Sequence, residues 1–328
     1  MIILGIESSC DETGVAVLSD ASGRIQILSN IVSSSASLQA NFGGVIPDQA
    51  AREQLKYIIP AIESAINDAR LTISDIDAIA VTYGPGLIGS LLIGVETAKT
   101  LSLFWGKPLI PVNHLLGHFY ANFIGENIPS FPAVGLLVSG GHTDLVLFKD
   151  HNNYEYLGGT LDDAAGECFD KCARLLGLPY PGGALLSKLA DEGKDTYNLP
   201  RPMIYTKDFN FSFSGLKTAA LNITKSKDFS EKNRANLACS IEAAIIDTLV
   251  KKTLLAAKKY GVEQIIVAGG VAANRKLVKN LQSSEFKIHV PEPALCTDNG
   301  AMIAAAAFFS KDKADPLKLQ ANPNLSLR

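Results

Sequence analysis

Short apolar runs alternate along this chain with longer stretches whose apolar positions recur every three or four residues, the pattern of strands interleaved with helices. IILGIE (2–7) and TGVAVLS (13–19) read as two strands joined by the polar turn SSCDE, and IQILSNIV (25–32) reads as a third after the Gly23-Arg24 turn. The Ser- and Gly-rich SSSASLQANFGGVIP reads as a loop, and a helix is expected from about Asp48 to Arg70. DAIAVTYGPG (77–86) predicts a strand and Gly-rich turn feeding a long apolar helix through about Trp105. The order then recurs. GLLVSGG (135–141), HTDLVLFK (142–149) and YEYLGG (154–159) predict three further strands, and QIIVAGGVAANRKL (264–277) repeats the strand, turn and helix of DAIAVTYGPGLIGSLL. A duplicated β-β-β-α-β-α unit predicts an α/β fold of two related lobes around a cleft. Its polar turns ESSCDE, SGGHTD and AGGVAAN offer backbone N–H groups to phosphate oxygens and close backbone approach to a flat ligand, which together suggest a nucleotide in that cleft.

The chain has 328 residues, 47% of them hydrophobic and 19% charged, enough apolar material for one or two cores. No apolar run reaches the roughly 18 residues needed to span a bilayer. The opening MIILGIESSCDETG lacks a basic region and a small-residue cleavage site, so a cytoplasmic protein is expected. Five scattered cysteines do not resemble a disulfide framework, and Cys168 and Cys172, four apart on an expected helix, read as small residues on one face. A net charge of −3 argues against a free-standing nucleic-acid binder, but not against a nucleic-acid substrate held with a partner. The basic residues of the later helices (Lys217, Lys225, Lys251, Lys252, Arg275, Lys276) read as solvated faces.

The sharpest local chemistry is His114-Leu-Leu-Gly-His118, which opens a helical segment after the strand PLIPVN. Positions i and i+4 share a helix face, so both imidazoles can converge on one cation, or equally cap and pack. Leu115 stands where the general-base Glu of a zinc-protease HExxH motif would be, which disfavours a hydrolytic metalloprotease. Asp298, just before the small-residue segment NGAMIAAAA, suits an N-cap or first-turn acid. The run from Asp162 to Lys171 is expected to begin a helix with acids in its first turns. Asn274, after the third Gly turn, can both donate to and accept from a sugar or base.

GIESSCDETGVAV, YGPGLIGSLLIG, NHLLGH, LLVSGGHT, DDAAGECFDK, PYPGG, FSFSGLKTA, VAGGVAANRKL and CTDNGAMIA, in this order over essentially the whole chain, resemble the bacterial TsaD family of tRNA N6-adenosine threonylcarbamoyltransferases, once described as glycoproteases. The resemblance implies an ASKHA (actin/Hsp70/sugar-kinase-like) fold. The lobes are expected at residues 1–112 with 299–328 and at 113–298, the second carrying the metal histidines and the nucleotide-binding turns. It implies one divalent metal, iron or zinc, on His114, His118 and Asp298, and an adenine nucleotide contacted by Leu137, Val138, Ser139, Gly140, Gly141, Asp170, Gly183 and Asn274. The implied reaction passes the threonylcarbamoyl group of L-threonylcarbamoyl-AMP to N6 of adenosine 37 in tRNAs reading ANN codons, forming t6A and releasing AMP. The implied partners are tRNA, the paralogous TsaB subunit, the TsaE ATPase and an upstream threonylcarbamoyl-AMP synthase. No side chain stands out as general base, and Asp11 and Glu12 in the first hairpin turn are candidates by position.

One stretch departs from the family pattern. Relatives read like PELASRxH after the first loop, whereas here Pro47 to Gln54 keeps only Pro47, Ala50 and Arg52, with Gln54 where the histidine is expected. A nucleotide-binding scaffold like the family's pseudo-enzyme is the main rival reading, set against the intact histidine and aspartate set. A sugar or acid kinase on the same fold would need a catalytic acid near the sugar and no metal histidines.

Overall fold

The structure is a computed structural model that describes residues 1–35, 38–39, 42–227 and 229–328. The expected loop over 33–47 therefore falls in part, at residues 36, 37, 40 and 41, outside the described residues. Ten strands are named here in chain order: β1 Ile2–Glu7, β2 Glu12–Ser19, β3 Gln26–Ser34, β4 Ala78–Gly84, β5 Leu109–Asn113, β6 Ala133–Val138, β7 Thr143–Asp150, β8 Asn153–Gly159, β9 Gln264–Ala268 and β10 Lys287–His289.

Two compact units result, Met1–Pro129 with Pro291–Arg328, and Ser130–Val290. The first holds a five-stranded sheet in the order β3-β2-β1-β4-β5, and the second one in the order β10-β9-β6-β7-β8. Read from the other edge, the second sheet repeats the first strand for strand. In each, three strands form an antiparallel meander and the first of them also pairs in parallel with a later strand. The duplication read from the sequence is thus present in the topology.

The expected division at 112/113 and 298/299 falls elsewhere in the structure, which places both histidines in the first unit. The reason is packing: the helix His114–Tyr120 continues straight from β5 and lies against the buried helix Gly300–Phe309. That second helix also lies on β1 and β2, so it belongs with the first sheet. Its apolar composition suits burial on every side, with Gly300 to Ala307 all shielded from solvent.

Close approach of this helix to the sheet depends on glycine. A Cβ on Gly5 of β1 would stand 2.7 Å from Ala304 N, and one on Gly14 of β2 would stand 2.7 Å from Gly300 N. Backbone meets backbone at this seam, and a larger residue at either position has nowhere to go. The strands beneath are buried on both faces over most of their length, which explains their continuous apolar runs. The edge strand β3 is more exposed and more polar.

Candidate metal centre and nucleotide turns

In the first unit the C-terminal ends of the parallel strands β1, β4 and β5 lie side by side, the position where α/β sheets present ligand-binding residues. The end of β1 supplies Glu7, Ser8 and Ser9, and the end of β5 supplies Asn113. The Asn113 side chain accepts from Leu115 N at 2.8 Å and so starts the helix His114–Tyr120. This cap aims both imidazoles to one side. Their ring centroids are 4.7 Å apart, edge to face.

Asp298 completes the set. Its Oδ1 lies 3.2 Å from His118 Nε2 and 3.7 Å from His114 Nε2, and the three ligand atoms lie within 4.8 Å of one another. The expected N-cap role belongs to its neighbour: Asn299 accepts from Met302 N at 3.0 Å and caps the helix Gly300–Phe309. Asp298 thus faces the histidines without capping that helix. His118 is 2% exposed, yet neither ring nitrogen makes a hydrogen bond among the described residues. A buried imidazole with orphaned nitrogens facing a carboxylate and a second imidazole is a donor set that a divalent cation satisfies, and mixed His/carboxylate ligation suits zinc or ferrous iron. Burial opposes the charged form of His114, but the carboxylates of Glu7 and Asp298 outweigh it and hold its pKa up at about 9.

The first hairpin turn is held from below. Gln54 Nε2 donates to Cys10 O at 3.0 Å and to Glu12 O at 2.9 Å, and Ser90 Oγ donates to Cys10 O at 2.8 Å. Gln54, where a histidine was expected, thus serves as a backbone clamp on the turn that carries Asp11 and Glu12. Burial first, then the nearby carboxylates of Asp298 and Asp11, push Glu12 up to about 9. Burial likewise raises the Cys10 thiol, so it is no nucleophile at neutral pH.

In the second unit the glycine-rich turns follow the ends of the parallel pair β6 and β9, which are in register as Leu137↔Ala268. Leu137 and Val138 are buried strand residues, whereas Ser139, Gly140 and Gly141 form the turn. A Cβ on Gly140 or Gly141 would meet nothing within 4 Å, so these glycines are not required by packing and leave room for a ligand. A Cβ on Gly166 would stand 2.5 Å from Ser139 O, which lets the helix Ala165–Leu175 close on the turn. Asp170 Oδ1 accepts from both Gly182 N and Gly183 N, at 2.8 and 2.9 Å. Asn274 is already committed: Oδ1 caps Leu277 N at 2.9 Å, and Nδ2 donates to Ser187 Oγ and to Glu242 Oε1. What it can still offer a ligand is the second lone pair of its carbonyl oxygen.

Several sequence expectations change here. The helix begins at Ala165, so Asp162 and Asp163 precede it. Asp162 instead accepts from Ser212 Oγ, Phe213 N, Ser214 N and Ser214 Oγ and fastens the FSFSG segment. Asp163 pairs with Lys171 and Lys217. Lys252 is fully buried and donates to Thr206 Oγ1 at 2.7 Å, so it is no part of a solvated face. Cys168 and Cys172 are buried with sulfurs 3.9 Å apart, and the hydrogen bond between them together with burial keeps the Cys168 thiol protonated. Sequence reasoning missed Glu7, whose signal was an acid at the inner end of the apolar run IILGIE.

The family model for TsaD, tRNA N6-adenosine threonylcarbamoyltransferase, matches residues 26–305. A protein of that name from Thermosipho africanus is 48% identical over 334 residues, covering 100% of both chains. One from Bacillus subtilis is 50% identical over 321 residues, covering 95% of this chain and 91% of its own. Among solved structures, HypF of T. kodakarensis superposes with a TM-score of 0.62 over 94% of this chain and 47% of its own, at 14% identity. Component A of the Acidaminococcus fermentans (R)-2-hydroxyglutaryl-CoA dehydratase gives 0.55 over 94% and 98%, at 16% identity. These structural likenesses establish the two-lobe ASKHA fold alone. With the matched relatives spanning its length, the chain belongs to the family of tRNA N6-adenosine threonylcarbamoyltransferases, transferases that modify adenosine in tRNA.

Proposed function

We propose that this chain transfers the threonylcarbamoyl group of L-threonylcarbamoyl-AMP to N6 of adenosine 37 in tRNAs reading ANN codons. The observation that carries this reading is the preformed donor set of His114, His118 and Asp298, with both His118 nitrogens buried, neither hydrogen-bonded among the described residues, and Nε2 3.2 Å from Asp298 Oδ1. A degenerate scaffold has no reason to retain such a set, and a sugar kinase has no use for it. When bound there, a divalent metal orients the acyl donor and stabilises oxyanion charge at its carbamoyl carbon.

In the reaction a bond forms from N6 to the carbamoyl carbon, the bond from that carbon to the phosphate oxygen breaks, and AMP leaves with the electron pair. The proton on N6 must be accepted, and of the two candidates in the first hairpin turn Asp11 suits that role, because Glu12, its pKa pushed up to about 9, already holds a proton at neutral pH. The turn Leu137 to Gly141, with Asp170, Gly183 and Asn274, is proposed to hold the adenylate. Support comes from its open glycines at the end of a parallel strand, where oriented N–H groups suit a phosphate.

The partners proposed are TsaB and TsaE, with a separate synthase supplying the donor. Two adjacent helices, Pro47–Asp68 and Ile88–Trp105, each expose an apolar pair one turn apart, Leu55 with Ile59 and Ile88 with Leu92, which suits a protein partner. No helix among the described residues is long and apolar enough to cross a membrane, and the cytoplasm is the proposed site of action. The test is transfer from threonylcarbamoyl-AMP to unmodified tRNA with both partners present, comparing the unaltered protein with His114→Ala. Product that is lost in the variant together with bound metal supports the reading. Absence of product from folded, metal-loaded protein favours the scaffold or the kinase.

A further inference from the structure

Glu7 is fully buried at the end of β1 and belongs to no ligand set. Its Oε1 accepts from Ser9 N at 2.5 Å, and its Oε2 accepts from the Thr82 hydroxyl at 2.5 Å. His114 Nδ1 lies 3.1 Å from that same Oε2. Among the described residues its ion-pair partner is this imidazole, with no lysine or arginine within 4.0 Å. A carboxylate taken wholly out of water without a cationic side chain is costly, and hydrogen bonds alone offset only part of that cost. The balancing positive charge has to come through His114, as its own second proton or as a cation bound in that proton's place at Nε2.

We propose that Glu7 is the positioning residue of the metal centre, acting through His114. This rests on the reading of His114, His118 and Asp298 as the ligands. A carboxylate only accepts, so Nδ1 of His114 keeps its proton, and it is the Nε2 proton that a cation displaces to gain the lone pair facing Asp298 and His118. Ser9 Oγ, 3.1 Å from Nδ1, shares that proton. Glu7 thereby sets tautomer and ring orientation together and adds a second negative charge behind the ligand set, the arrangement by which a carboxylate strengthens a histidine ligand. His118 is not held in this way: its Nδ1 has no partner. The two histidines are therefore unequal, His114 anchored through Nδ1 and His118 held by packing and by the Asp298 contact at its Nε2.

Glu7→Gln breaks this arrangement with little change of volume. An amide has a single acceptor oxygen for three donors, and its NH2 must face one of them or turn His114 into the tautomer whose Nε2 carries the proton and cannot ligate. The experiment is cobalt(II) titration of the purified protein against a chromophoric chelator, with the ligand-field spectrum recorded. It compares the unaltered protein, Glu7→Gln, Thr82→Val and Asp298→Ala, each checked for folding by near-UV circular dichroism. Glu7→Gln is expected to weaken cobalt binding by about 10- to 100-fold and to shift the visible bands. Thr82→Val removes a neighbour of Glu7 but keeps its charge, and is expected to bind as the unaltered protein does. Unchanged affinity and spectrum in Glu7→Gln, with Asp298→Ala impaired, overturns the role of Glu7 and leaves the ligand assignment standing. Unimpaired binding in Asp298→Ala overturns the ligand assignment instead, and the role of Glu7 with it. Should Glu7→Gln not fold, Glu7→Asp carries the test, because it keeps the charge but withdraws it from Nδ1 by one methylene. Unaltered cobalt affinity there overturns the proposal.

Discussion

Replacing Gly300 with alanine sets two expectations of opposite sign against each other. In a helix open to solvent the change gains up to about 1 kcal/mol, because glycine is the poorer helix former. Here the new Cβ would stand 2.6 Å from Val15 C and 2.7 Å from Val15 Cα, and closer still to Ala16 N, all of them strand backbone. Ordinary contact begins at 3.4 Å, so helix or strand must retreat by about 1 Å to clear Ala16 N, and neither can do so by rotating a side chain. Overpacking of this kind costs about 1 to 3 kcal/mol, which outweighs the propensity gain. The retreat also reaches the metal centre, since Asp298 lies two residues before Gly300 and its Oδ1 is 3.2 Å from His118 Nε2. Urea unfolding of Gly300→Ala should give a lower midpoint with an unchanged slope, and cobalt affinity should fall with it. A variant at least as stable as the parent, with cobalt binding intact, would show that this seam is not as tight as described.

Asp162→Asn should destabilise by about 1 kcal/mol, the value of a lost helix-start acceptor, and should loosen the segment at 212–214. Burial works to raise the Asp162 pKa, but hydrogen bonds from Ser212, Phe213 and Ser214 prevail and hold it below its ordinary value. Its stabilisation is therefore present at neutral pH and lost as pH falls through that lowered value, a dependence the Asn variant should lack in acid-unfolding curves. Gln54→Leu should cost about 1 kcal/mol, because the part-buried Glu12 carbonyl loses this donor while that of Cys10 keeps Ser90. It should also slow transfer more than it weakens tRNA binding, and equal losses in both would contradict a clamp on the catalytic turn.

The sheet topology was legible because its signal is local and repeated. Buried strands such as IILGIE and AIAVTYG have to be continuously apolar, and the glycine turns that follow them recur in the same order. The His114/His118 pair was legible for the same reason, since helical spacing alone places both rings on one face. Asp298 was not, because a lone acid before a helix has a commoner use as a cap. Only the structure shows Asn299 taking that use. Glu7, Gln54 and Lys252 were illegible for a different reason: each is a polar side chain whose meaning lies in partners far away in sequence. Glu7 is explained by Thr82 and His114, Gln54 by the carbonyls of the first turn, and Lys252 by Thr206. The lobe boundary was misplaced because helix–helix packing, which assigns His114–Tyr120 to the first unit, leaves no local mark.

The glycine seam between the first sheet and the helix Gly300–Phe309 also has a history in time. A ribosome delivers β1 to β5 before this helix, with the whole of residues 130–290 in between. Until then the face of β1 and β2 that carries Gly5 and Gly14 lacks this cover, although the opposite face already has the helix Pro47–Asp68, while the second unit is contiguous and can close on its own contacts as it emerges. Asp298 arrives on the same late segment. The first lobe waits for a segment from beyond the second, so the candidate metal set of His114, His118 and Asp298 can assemble only after residues 130–290 have been made.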